Sequence, residues 1–118
     1  MSGSDIAQLV KALMADDVET RHEARSSLLA LDEDAVDGLV DEYYAGGNDA
    51  TGVAILEVVA EIGGPDAMST LRNVFYLETA RRDLQLAAAR GLLHNRYSLS
   101  PHEIEAVERF VAAWGTDP

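Results

Sequence analysis

The feature that most constrains this chain is a repeat. A shift of 32 residues carries Ala24 onto Leu56 and then Ala88, and Leu28 onto Ala60 and then Leu92. The same shift carries Ala35 and Val36 onto Ala67 and Met68, Leu39 onto Leu71, Tyr43 onto Phe75, and Tyr44 onto Tyr76. The first segment fits a slightly shorter shift, with Leu9 falling on Leu39 and Leu13 on Tyr43. A two-helix unit of roughly 30 residues cannot bury its apolar face alone, so its copies must stack on one another.

The periodicity within each unit is helical, and no segment alternates long enough for a strand. Ile6, Leu9, Val10, Leu13 and Met14 form one stripe. Asp16 followed by Glu19 reads as the start of a second helix, with Val18, Ala24, Leu28 and Leu31 as its stripe. A third helix is expected to begin in Asp32-Glu33-Asp34, where carboxylates suit the positive end of the helix dipole, and to stop at Gly46-Gly47. Asn48 or Asp49 caps a fourth, and Gly63-Gly64-Pro65 separates it from a fifth. Thr79 is expected to cap a sixth. Ser100-Pro101-His102-Glu103 opens the last, with Ser as the cap, Pro in the first position and Glu in the third. These segments predict an all-α fold: a right-handed solenoid of about three hairpins, 5–31, 33–62 and 65–95, closed by a C-terminal capping helix, 101–114. The 118 residues form one domain.

The junction Ile62-Gly63-Gly64-Pro65-Asp66-Ala67-Met68-Ser69-Thr70-Leu71 resembles the I-G-D-P-x-A-V-P-x-L junction of short bacterial and archaeal HEAT-like repeats, the type first named from phycobilisome lyases. Leu31 to Leu39 repeats it with Ala35-Val36 in register but without the Gly-Pro turn. Arg21-His22-Glu23-Ala24 resembles the V-R-x-x-A opening of the second helix of such a repeat. The resemblance covers most of the chain. It implies stacked hairpins, and it says little about function, because such folds carry many.

Charge narrows the function. There are 21 acids and 9 bases, a net charge of −12, and Lys11 is the one lysine. A field of that sign repels phosphates, so neither nucleic acid nor an anionic membrane is an expected partner. This also argues against the HEAT-like DNA glycosylases, which need a basic track. The absence of cysteine excludes disulfides, zinc–thiolate sites and a Cys nucleophile. The N-terminus has neither a basic stretch nor an apolar run, and a cytoplasmic protein is expected.

Chemistry has few places to reside. His22-Glu23 resembles the His-Glu pairs of deoxyhypusine hydroxylase, a HEAT-like protein with a di-iron site, so a metal-dependent hydroxylase-like or lyase-like role is the alternative reading. Its chemistry needs symmetric repeats converging on two irons. Here the 32-residue equivalents are Ala54-Ile55 and Leu86-Ala87. His102-Glu103 falls in a first turn, where Glu103 has a capping role. Ser26-Ser27 lies mid-helix without a nucleophile elbow. The glycine pairs lack the Gly-Lys-Ser/Thr of a phosphate loop, and the acidic run lacks calcium-loop spacing. No catalytic residue, metal or cofactor is expected.

The expected function is therefore non-catalytic: an adaptor or scaffold, monomeric, binding another protein or peptide on the concave face formed by the second helices. Projection away from the core stripes places Glu19, His22 and Ser26 on that face from the first repeat. The second supplies Ala54, Glu57, Val58 and Glu61, and the third Asp83, Leu86 and Arg90. A partner with basic and apolar groups suits this mixture. Tyr43 and Tyr44 are adjacent and cannot both point into the core. That leaves one as a half-buried ring with its hydroxyl in water, or as an interface anchor. Trp114 reads as core or cap.

Overall fold

The computed structural model describes residues 3–115, with side chains from Asp5 onward; Met1 and Ser2 of the N-terminal stretch lie outside it. The described residues form helices joined by short turns, without a strand. The elements are α1 (Gly3–Leu13), α2 (Val18–Leu31), a 3-10 turn (Asp32–Ala35), α3 (Val36–Tyr44), α4 (Asp49–Ile62), α5 (Gly64–Leu77), α6 (Arg82–His94), a second 3-10 turn (Arg96–Ser98) and α7 (Pro101–Trp114).

Sequence neighbours pack: α1 on α2, α3 on α4, α5 on α6. A second set of contacts runs across them. The even helices touch in the order α2, α4, α6, the odd helices in the order α1, α3, α5, and α7 packs on α6. The repeat-equivalent positions of the core stripes share one fate. Ala24, Leu56 and Ala88 are buried, as are Leu28, Ala60 and Leu92, Leu39 and Leu71, and Tyr43 and Phe75. Tyr44 and Tyr76 are both exposed, at 59% and 52%. One core runs from Ile6 on α1 to Val107 on α7.

Glycines set how closely the helices approach. A Cβ on Gly91 would lie 2.9 Å from the Cβ of Ala60 and 3.0 Å from a Leu71 methyl. Gly91 thus lets α6 press against both α4 and α5. At the other punctuation point Gly63 has φ +70°, a left-handed conformation that ends α4, and Pro65 follows in the first turn of α5. The Asn95 amide donates to the Ala60 and Gly91 carbonyls, each at 2.9 Å, and so ties the end of α4 to that of α6.

Several boundaries differ from expectation. The cap of α2 is Asp17, not Asp16. Its carboxylate accepts from the Thr20 amide at 3.1 Å and the Thr20 hydroxyl at 2.7 Å, while the Asp16 carbonyl accepts from Arg21. Those bonds from Thr20 hold the Asp17 carboxyl below its usual range. Val18 begins the helix before the stripe takes hold and is exposed. The acidic run forms the 3-10 turn and precedes α3 instead of opening it. Asn48 caps α4 by accepting from both the amide and the hydroxyl of Thr51. Thr79 does not cap α6, which starts at Arg82 after an Arg81 without a capping side chain. The Arg81 guanidinium instead reaches Asp49 in the first turn of α4, with its Nε at 3.1 Å.

Ser100 caps α7 by accepting from the Glu103 amide at 3.2 Å. The Glu103 carboxylate is taken by Arg72 of α5 through two hydrogen bonds, at 3.0 and 3.2 Å, which dock α7 on α5. Trp114 is neither core nor cap: it is half exposed, beneath the Arg82 guanidinium at 3.8 Å. Of the two adjacent tyrosines Tyr44 is the exposed one and Tyr43 the one in the core. Its ring is buried, and its hydroxyl lies out of contact with solvent and without a hydrogen-bond partner.

Candidate functional site

The outward faces of α2, α4 and α6 form three joined hollows. The central one, about 200 Å³, lies between Arg25 of α2, Glu57 and Glu61 of α4, and Arg90 and His94 of α6. A second continues from Arg25 and Glu57 past Ala54 and His22 to Val18 and Leu13. A third continues from Val53, Ala87 and Arg90 to Leu86, Asp83 and Asp49. Shared residues at each junction make this one groove across three helices. Val53, Ala54, Ala60, Ala87 and Gly91 line it with small groups, so little side-chain bulk stands in it.

The charges are arranged in alternation. Arg25 forms an ion pair with Glu61 across α2 and α4. Arg90 donates to the Gly115 carbonyl at 2.9 Å. Glu57 is exposed between them, and no ion pair among the described residues engages it. The groove therefore offers one uncommitted carboxylate at its centre, with apolar surface on either side. It can hold a cation and its neighbours.

Seven of the sequence-predicted residues line this groove: His22, Ala54, Glu57, Glu61, Asp83, Leu86 and Arg90. Glu19 and Ser26 are exposed on α2 outside the hollows. Val58 is corrected: it is fully buried and can touch no partner. Its repeat equivalents Ser26 and Arg90 are exposed, whereas α4 lies between α2 and α6. The central helix is walled by both. Sequence reasoning missed Arg25, Val53, Ala60, Ala87 and Gly91. Arg25 had a signal, since it stands 32 residues before Glu57.

Glu23 and His102 are exposed, as is His22. Among the described residues no three His, Asp or Glu side chains come together as a metal site would require. No helix among them is long and apolar enough to cross a membrane. Comparison with protein-family models, with curated proteins and with solved structures finds no match for this chain.

Proposed function

We propose that the chain is a short HEAT-like α-solenoid that acts without catalysis. In this reading it is a protein-interaction module holding a partner segment along the groove of α2, α4 and α6. The partner segment carries a Lys or Arg between apolar side chains. The observation that carries this reading is the groove itself: three second-position helices side by side, a lining of small side chains, and the unpaired Glu57 at its centre. Matched burial at the 32-residue equivalents and the two ranks of even and odd helices support the repeat architecture.

Capture from the native lysate with Glu57→Lys as a parallel bait tests it. Glu57 is the better target than Glu61, because replacing Glu61 also strands Arg25. A partner held by the parent chain and by the surface control Glu23→Lys, but lost by Glu57→Lys, is the expected result. A partner retained equally by all three sinks the groove reading.

A further inference from the structure

We propose a second docking surface, away from the groove, at the C-terminal ends of α3 and α5: Tyr44, Tyr76 and Leu77 form an aromatic–aliphatic patch that seats an arginine-bearing segment of another protein. The proposal does not rest on the groove reading.

Three large apolar side chains are more than half exposed here: Tyr44 at 59%, Tyr76 at 52% and Leu77 at 75%. They occur at repeat-equivalent ends of helices that touch. Each tyrosine is braced edge-on by the ring before it, Tyr43 against Tyr44 at 5.0 Å and Phe75 against Tyr76 at 4.9 Å. Rings held in this way lose little freedom on binding. Arg81, in the turn after α5, lines one hollow with Glu42 and Tyr43, which places that turn beside the end of α3.

The surrounding charge selects the occupant. The last turn of α3 holds Asp41 and Glu42, Glu78 follows α5, and neither helix has a basic residue in its last turn. Carboxylates at the negative end of a helix dipole are unfavourably placed. None of these three forms an ion pair among the described residues, and the nearby Arg81 is held by Asp49. A cation seated over the tyrosines relieves that field and gains the ring faces.

The molecule does this itself at another helix end. At the end of α7, Arg82 covers Trp114 at 3.8 Å and reaches Phe110 at 5.7 Å. Both cation-over-ring contacts among the described residues belong to Arg82, so Tyr44 and Tyr76 have no such cover. A second copy is a poor occupant, because each brings a charge of −12 to an acidic edge.

The test titrates a fluorescent amphipathic peptide of arginine and leucine against the whole chain by anisotropy, with a glutamate–leucine peptide as control. The expected result is binding of the arginine peptide only, weakened about tenfold or more in Tyr44→Ser/Tyr76→Ser and kept in Tyr44→Phe/Tyr76→Phe. The tyrosine effect persists at about tenfold when both chains also carry Glu57→Gln, which removes the groove's own hold on a cation. Helical melting curves establish that each variant folds. No binding of the arginine peptide, equal binding of both peptides, or loss through Glu57→Gln in place of the tyrosines overturns the proposal. So does a dimer in sedimentation that the serine variant dissolves, which would make the patch a self-contact.

Discussion

Tyr43 carries a cost that its neighbour avoids. Its hydroxyl is buried without a partner, and burial, with the Glu78 carboxylate adding to it, pushes its pKa up to about 12. A phenol harder to ionise in the folded chain than in the unfolded one stabilises the fold below its ordinary pKa of 10.0, and that stability drains as pH rises toward about 12. Tyr43→Phe removes the orphan hydroxyl and keeps the ring. We expect it to match or exceed the parent in stability at neutral pH, by up to about 1 kcal/mol. The variant should also lose the late tyrosinate step in ultraviolet absorbance near pH 12. Urea titrations at neutral and alkaline pH check both. A Tyr43→Phe chain that unfolds more easily at neutral pH would reveal a partner for the hydroxyl.

Among the elements, α6 is the most constrained, because it meets α4, α5 and α7. Gly91→Ala adds a methyl group that meets the Ala60 Cβ at 2.9 Å, an atom fixed to its backbone and unable to rotate away. Alanine gains roughly 1 kcal/mol of helix propensity over glycine, and overpacking a dense core costs about 1–3 kcal/mol. We expect the second effect to win, with a net loss of about 1–2 kcal/mol in urea unfolding. An unchanged or raised midpoint would mean that α6 can move off α4.

The elements were legible in the sequence where apolar spacing and punctuation agreed. Ser100-Pro101 and Gly63-Gly64-Pro65 mark helix ends by local chemistry alone, and both are where the spacing puts them. The errors fell where the signal was tertiary. Thr79 offers a cap that α6 does not use, because Arg81 is drawn to Asp49 on another helix. Val58 has the helical angle of a surface residue, and only the flanking of α4 by α2 and α6 buries it. Arg25 was legible through the repeat, but its pairing with Glu61 spans two helices and leaves no local trace.

At the scale of the whole molecule the stack is short. Its radius of gyration is 13.9 Å, against about 13.5 Å for a compact domain of this length. Charge is distributed less evenly than mass. The ion pairs among the described residues occupy Asp49, Glu61, Glu103, Glu105 and Glu108, a minority of the 21 acids. Exposed carboxylates outside these pairs, such as the run Asp32, Glu33 and Asp34, repel one another, and salt screens repulsion between exposed groups. The melting temperature should rise from low to moderate NaCl, followed by circular dichroism. A flat or falling curve would mean that the carboxylates are spaced widely enough not to interact.

The bond from Arg90 to the Gly115 carbonyl links two places that are otherwise separate. Arg90 stands in the groove, and Gly115 ends α7 directly after Trp114, the one tryptophan of the chain. We expect a groove partner that draws the Arg90 guanidinium off that carbonyl to alter the surroundings of the indole, so that a titration followed by tryptophan emission reads groove occupancy without a label.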